Sequence, residues 1–212
     1  MLPSHAHVLD GAARAESIVV NPHKWLFTPF DLSAFYCRRM DRVRAAFALT
    51  PEFLRTAEAG EVKNLMDTGI QLGRRFRALK LWMILRSFGA RAIREHLRRH
   101  MRLAQQLAGW VDAHPDFERL APVPLSVVCF RWKPAGMVWS DADLDTANER
   151  LIDAVNQTGE VFLSHTRLRG RIALRIAIGH IKTTERHVRR AWDLVVAQAG
   201  TLHLLTSPDR RF

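Results

Sequence analysis

The feature that most constrains this chain is a proline-containing turn directly after a short β-branched run. Residues 17–20 (SIVV) have the composition of a buried strand, and residues 21–25 (NPHKW) follow without a break. Because Pro22 lacks a backbone N–H and has a fixed φ, we expect the chain to continue there neither as a helix nor as a ladder strand. The pattern therefore predicts that Lys24 is held on a stiff turn after a strand.

A lysine in that position can act as a nucleophile. We expect the apolar neighbours Trp25, Leu26 and Phe27 to desolvate the Lys24 side chain partly. Desolvation disfavours the ammonium form and leaves an amine able to form a Schiff base. The alternative from the residues alone is a surface lysine whose stem packs on Trp25.

Length and composition fit a globular chain. With 212 residues, of which 48% are hydrophobic, the chain can bury the core of one or two domains. No apolar run approaches the roughly 20 residues of a membrane span, and residues 1–15 lack the apolar stretch of a secretory signal. Cys37 and Cys129 lie in apolar runs without a metal-binding or redox spacing, so we expect two buried thiols, no metal site and a cytoplasmic location.

The net charge of +11 raises the question of a polyanionic partner. Much of it comes from arginines at helical spacing, opposite an apolar stripe, which is typical of a solvated helix face: Arg91, Arg94, Arg98 and Arg102. Neither a nucleic-acid-binding motif nor interleaved aromatic residues accompany them. We therefore expect no specific nucleic-acid binding, only nonspecific attraction to polyanions at low salt.

The remaining patterns predict an alternation of helices and short strands. We expect helices over about 41–54, 73–88, 90–113 and 140–159, with the second and third split at Gly89 and the fourth capped by Ser140 and Asp143. Strands are expected over 125–132, 161–163 and 171–178, and Thr183 or Thr184 caps a last amphipathic helix. From about residue 73 onward this predicts an α+β domain, a small and mostly antiparallel sheet covered by helices.

Four segments in this order resemble one enzyme family. The lysine turn with the following strand at 32–37 (LSAFYC) is similar to the cofactor-lysine segment of the pyridoxal-phosphate-dependent group II amino-acid decarboxylases, in particular the aromatic-L-amino-acid decarboxylases. Residues 72–82 (LGRRFRALKLW), 128–131 (VCFR) and 174–178 (LRIAI) resemble later segments of the family. The resemblance covers roughly residues 5–199, and four ordered motifs are a stronger signal than one lysine in a turn.

The resemblance implies an α/β to α+β architecture of the aspartate-aminotransferase-like type. Residues 1–72 correspond to the end of the large cofactor domain, with the lysine turn and a mobile loop, and residues 73–212 to the small C-terminal domain. The implied activity is that of a carboxy-lyase, which decarboxylates an aromatic L-amino acid to the amine. The implied assembly is a homodimer.

The resemblance also assigns site residues. It makes Lys24 the catalytic residue that forms a Schiff base with pyridoxal 5'-phosphate, and it places His23 and Asn21 at the cofactor phosphate or in a role that fixes the turn. Arg175, which alternates along its strand with small residues, is placed near the substrate carboxylate. From the strand pattern alone, a solvent-facing Arg175 is an equal alternative.

Two departures from the family affect the expected activity. The aspartate that pairs with the pyridine nitrogen, the histidine that stacks on the ring and most of the phosphate loop lie upstream in the family, and only 23 residues precede Lys24 here. We therefore expect a C-terminal part that is weakly active or inactive alone, or a non-catalytic structural or partner-binding remnant. Leu65 replaces the loop tyrosine that delivers a proton, which implies decarboxylation-dependent oxidative deamination to an aldehyde as the alternative activity.

Overall fold

The computed structural model describes residues 2–48, 64–136 and 138–206. The strands are β1 (Ser17–Val20), β2 (Ala34–Cys37), β3 (Phe117–Arg119), β4 (Val127–Trp132), β5 (Ser164–Leu168) and β6 (Arg171–Ala177). The helices are α1 (Pro22–Trp25), α2 (Met40–Phe47), α3 (Arg77–Ala113), α4 (Asp141–Gln157) and α5 (Glu185–Thr206). The chain divides into two compact units, Met1–Arg94 and Glu95–Phe212. The domain boundary expected between residues 72 and 73 stays a prediction.

The first unit contains a two-stranded antiparallel sheet. β1 pairs with β2 so that Ser17 lies opposite Cys37 and Val20 opposite Ala34, which confirms the two predicted strands around the lysine turn. The expectation that the first of them is buried is wrong, because β1 belongs to a two-stranded sheet and most of its residues are exposed. Helix α2 ends at Phe47. The rest of the helix predicted over 41–54, from residue 49 onward, lies outside the described residues, as does most of the predicted loop over 56–69. The described end of that loop contains a short 3-10 helix, Leu65–Thr68.

Helix α3 contains the predicted break at Gly89. The φ of this residue is 72°, a value that L side chains rarely adopt, and its backbone is not helical. The four arginines expected on a solvated face, Arg91, Arg94, Arg98 and Arg102, are all exposed. Ile93, Met101 and Ala104 of the opposite face are buried, so the amphipathic interpretation of this segment is confirmed.

The second unit is built on a four-stranded antiparallel sheet in the order β3-β4-β6-β5. Val128 and Phe130 of β4 lie opposite Ile176 and Leu174 of β6 and share the core with residues of α4 and α5. The predicted antiparallel sheet covered by helices is confirmed. Within the described residues no helix has the length and apolar character needed to cross a membrane.

Side-chain hydrogen bonds cap the start of α4 and attach the helix to the sheet. Ser140 Oγ accepts a hydrogen bond from the Asp143 N–H at 3.1 Å, and the Asp143 carboxylate accepts the Ser140 N–H, which is the predicted capping box. Deeper in the helix, the buried Asn148 side chain accepts the Trp132 N–H and donates to the Trp132 carbonyl, both at 2.8 Å. These bonds attach α4 to β4.

In the second unit one predicted strand is wrong and one observed strand was not predicted. The strand expected at 161–163 is wrong, and β5 begins only at Ser164. The reason is Asn156 of α4, whose amide bonds both the Leu163 N–H (2.7 Å) and the Leu163 carbonyl (3.1 Å) and so replaces ladder bonds. The strand β3 was missed, because three residues are too few to show a period.

Candidate active site

The lysine turn is a single helical turn. Pro22 stands at the first position of α1, where its missing N–H would have no partner within the helix, so the expectation that proline excludes a helix here is wrong. The Lys24 N–H donates to the Asn21 carbonyl at 3.0 Å, and the Thr28 N–H donates to the Pro22 carbonyl at 3.2 Å. Lys24 therefore lies on a defined turn directly after β1, as predicted.

Asn21 and His23 connect this turn to the segment before β2. The Ser33 hydroxyl donates to Asn21 Oδ1 at 2.6 Å, and His23 Nδ1 bonds the Leu32 backbone, 2.6 Å from its carbonyl oxygen and 3.1 Å from its nitrogen. The His23 ring also contacts Phe30 edge-on, with centroids 5.0 Å apart. Both side chains thus fix the turn, and their predicted role at the cofactor phosphate stays a prediction.

Lys24 is exposed, and the expected partial desolvation of its amine stays a prediction. The helix α1 is one turn long and buries Pro22, while Trp25 and Leu26 are half-buried. Among the described residues, Lys24 Nζ has neither a hydrogen-bond nor an ion-pair partner. An accessible primary amine on a hydrogen-bonded turn fits covalent attachment to a carbonyl cofactor.

Asp31, Arg77 and Lys80 form a polar group that was not predicted from the sequence. Asp31 accepts from Arg77 Nε, which lies 3.2 Å from each carboxylate oxygen, and Lys80 donates to the carbonyls of Pro29 (3.0 Å) and Asp31 (2.8 Å). The hydrogen bond from Arg77 lowers the pKa of Asp31. A cleft of about 480 Å³ is lined by Phe30, Asp31, Gln71, Gly73, Arg75 and Arg77. The sequence shows basic residues at positions 74, 75 and 77, but it does not show that Asp31 accepts a hydrogen bond from one of them.

Leu65 begins the 3-10 helix at the described end of the loop, and its side chain is exposed. Its carbonyl accepts from Arg74 Nη1 at 2.7 Å, and the same nitrogen donates to Thr68 Oγ1 at 2.9 Å. The backbone of Leu65 is therefore attached to the start of the 72–82 segment. A leucine side chain at this place has no proton to donate.

Arg175 lies in the second unit, in the middle of β6. It is half-buried, pairs in register with Cys129 and Ser164, and donates from Nη1 to Ser164 Oγ at 3.3 Å. The predicted role of Arg175 at a substrate carboxylate stays a prediction.

The two cysteines, Cys37 and Cys129, are free thiols. Both are only half-buried, so the expectation that they are buried is wrong. Burial raises the pKa of Cys129, and the charge of Arg175 opposes this effect.

Comparison with known proteins identifies the class. The model of the pyridoxal-dependent decarboxylase conserved domain matches residues 1–133. Phenylacetaldehyde synthase of Arabidopsis thaliana is 39% identical over 202 residues, 94% of this chain and 41% of that protein. Tryptophan decarboxylase 1 of Oryza sativa subsp. japonica is 37% identical over 197 residues, 91% of this chain and 38% of that protein.

Solved structures agree with this assignment. The Oryza sativa TDC structure with PLP and tryptamine matches with a TM-score of 0.87 and 36% identity, over 94% of this chain and 42% of that chain. Tryptophan decarboxylase of Catharanthus roseus in complex with L-tryptophan matches with a TM-score of 0.82 and 34% identity, over 94% and 40%. The chain belongs to the pyridoxal-dependent decarboxylase family, which confirms the predicted family and its cofactor, pyridoxal phosphate. It spans about two fifths of the length of these curated relatives.

Proposed function

We propose that this chain contributes to the pyridoxal-phosphate-dependent decarboxylation of an aromatic L-amino acid to its amine. The observation that carries the proposal is the exposed Lys24 amine on the hydrogen-bonded turn between β1 and β2. The names of its relatives, tryptophan decarboxylase and aromatic-L-amino-acid decarboxylase, support the substrate class. When bound, pyridoxal phosphate withdraws the electron pair that remains on the substrate as carbon dioxide leaves.

The roles of the chain's own residues follow from their chemistry. Lys24 supplies the amine that holds the cofactor covalently, and Asn21 and His23 fix the turn and offer polar groups to the phosphate. Arg175 binds the substrate carboxylate through its guanidinium group, which can pair with both oxygens.

We further propose that the activity belongs to a larger assembly. The first unit exposes large apolar side chains on β1, β2 and the first turns of α3, among them Val19, Tyr36, Trp82 and Met83. Large apolar side chains exposed on two strands and a helix are typical of an interaction site. We propose that it is covered by polypeptide corresponding to the remaining three fifths of the relatives, joined to or docked on this chain, in a homodimeric enzyme. The expected cytoplasmic location stays a prediction.

Borohydride trapping tests the proposal at its central residue. The purified chain is incubated with pyridoxal 5'-phosphate and reduced, and the pyridoxyl label is located by peptide mapping. We expect the label on Lys24, loss of that label in Lys24→Ala, and no loss in the matched control Lys182→Ala, which removes another exposed amine. A label chiefly on Lys63, Lys80, Lys133 or Lys182 would contradict the proposal and favour a non-catalytic role.

Leu65 favours a second candidate activity. Without a phenol at this place the α-carbon is not reprotonated efficiently, and molecular oxygen can take the electrons instead. One molecule of water supplies the aldehyde oxygen, and the products are the aldehyde, ammonia and hydrogen peroxide beside carbon dioxide. The similarity to phenylacetaldehyde synthase of Arabidopsis thaliana supports this candidate.

The ratio of amine to aldehyde separates the two activities. In the complete assembly, Leu65→Tyr should raise amine production relative to aldehyde, because general acid catalysis by a positioned phenol is typically worth ~10²–10⁴-fold. Leu65→Phe is the matched control, since it adds the ring without the hydroxyl. An equal product ratio in both variants would show that another residue delivers the proton.

A further inference from the structure

The segment between α1 and β2 is held by side chains from one face of α3. Arg77 and Lys80 are three residues apart, so both project from the same side of the helix. Arg77 binds the Asp31 carboxylate through Nε, and Lys80 Nζ binds the carbonyls of Pro29 and Asp31. We call Asp31, Arg77 and Lys80 the clamp.

The same segment is bonded to the lysine turn at its other end. The Leu32 backbone is hydrogen-bonded to the His23 ring, and Ser33 donates its hydroxyl to Asn21. The Lys24 N–H in turn donates to the Asn21 carbonyl. Hydrogen bonds joined by the backbone of residues 31–33 therefore connect α3 to the backbone of Lys24.

The ion pair of the clamp is partly buried. The side chains of Arg77 and Asp31 are 25% and 39% exposed, and the guanidinium bond is charge-assisted. Fully exposed pairs contribute little, because water screens them and two long side chains must be ordered. Lys80 uses its ammonium donors on two backbone carbonyls, which distinguishes it from the unpaired amine of Lys24.

We propose that Asp31, Arg77 and Lys80 are positioning residues, which hold the segment behind the lysine turn so that the Lys24 backbone is fixed where its side chain reaches the cofactor aldehyde. This inference rests on the proposed function of Lys24. In the attachment step the neutral amine forms a double bond to the aldehyde carbon, and its two protons leave with the aldehyde oxygen as water. A nucleophile that is displaced by about 1 Å can react ~10²-fold more slowly, so a loosened turn slows this step.

The rate of attachment tests the clamp without an activity assay. The full chain and the variants Arg77→Gln, Lys80→Gln and Asp31→Asn are mixed with pyridoxal 5'-phosphate and quenched with borohydride at increasing times. The pyridoxyl label on Lys24 is measured relative to that on Lys182. We expect this ratio to rise roughly 10-fold more slowly in each clamp variant. Arg86→Gln, which removes an exposed charge from the same helix, should match the parent.

Amide hydrogen exchange in the same samples separates positioning from unfolding. Residues 21–33 should lose protection in the clamp variants, while β4 and β6 keep theirs. The double variant Asp31→Asn/Arg77→Gln should be no slower than either single variant, because the two residues act through one contact.

Three results overturn the inference. Equal labelling rates in the parent and all clamp variants overturn it and leave the proposed function standing. Loss of protection in β4 together with residues 21–33 assigns the clamp a purely structural role. Absence of label on Lys24 in the parent overturns the proposed function and this inference with it.

Discussion

The two sheets of this chain differ in what covers them. Phe130 in the four-stranded sheet is 0% exposed and packs in a continuous core, whereas Phe35 in the two-stranded sheet is 49% exposed. Both are aromatic residues in regular strands, so local sequence does not explain the difference. The second unit supplies the helices that bury its own sheet, whereas the first unit presents the lysine turn and leaves apolar side chains exposed. The second unit therefore has a core of its own, whereas the first unit carries Lys24 beside a sheet whose aromatic side chains its described residues leave exposed.

The largest expected effect contrasts these two phenylalanines. Phe130→Ala should lower the free energy of unfolding by ~3–5 kcal/mol, because it removes a buried ring and leaves a cavity against Phe117 and Trp192. Phe35→Ala should change it by less than about 1 kcal/mol, since the ring is already half in water. Urea unfolding followed by circular dichroism measures both. Similar losses in the two variants would refute the comparison.

A second contrast concerns hydrogen bonds in the two units. Asn148→Leu should cost about 1–3 kcal/mol, because it leaves the Trp132 N–H and carbonyl buried without their partner. Ser33→Ala removes the exposed bond to Asn21 and should cost less than about 1 kcal/mol, since water replaces it. Chemical denaturation of both variants checks this order. A larger loss for Ser33→Ala would show that the lysine turn is part of the stabilising core.

The third prediction uses the one buried imidazole among the described residues. His100 is fully buried, and burial lowers its pKa, with the charges of Arg99, His96 and His180 acting in the same direction. The backbone of His180 hydrogen-bonds it and opposes the shift. The folded chain therefore binds this proton more weakly than the unfolded chain, whose His100 has a pKa near 6.5. The neutral ring supports folding above about pH 6.5, and this contribution is lost as the pH falls below that value.

Unfolding at two pH values measures this contribution. The parent should lose more stability between about pH 7.5 and pH 5.5 than His100→Gln, which cannot titrate in this range. His165→Gln, which removes an exposed ring from β5, should keep the parent's pH dependence. Equal pH dependence in the parent and His100→Gln would show that His100 does not contribute.

Sequence reasoning succeeded where a residue type has one local use. Gly89 was expected to interrupt a helix, and its positive φ does so; Ser140 and Asp143 were expected to cap α4, and they do. It failed where a distant side chain decides the outcome. Asn156 removes Leu163 from the sheet, and no pattern in residues 161–163 could show this.

The candidate site divides in the same way. The strand and turn that place Lys24 could be predicted from residues 17–25, because β-branched residues and proline restrict the backbone at their own positions. The exposure of Lys24 could not be predicted from these residues, because it depends on the length of the helix, and the one-turn α1 buries only Pro22. The contact of Asp31 with Arg77 joins residues 46 positions apart, and only the fold brings them together.

The smallest expected effect compares one substitution in two helices. Ser140→Ala should lower the free energy of unfolding by ~0.5–2 kcal/mol, because it removes the acceptor of the Asp143 N–H at the start of α4. Ser87→Ala should leave stability unchanged or raise it by a few tenths of a kcal/mol, since Ser87 is exposed inside α3 and alanine has the higher helix propensity. Thermal and urea unfolding of the two variants should therefore give shifts of different sign or size. Equal losses would mean that the hydroxyl group matters at both positions, and that the first unit depends on its own side-chain bonds as much as the second unit does.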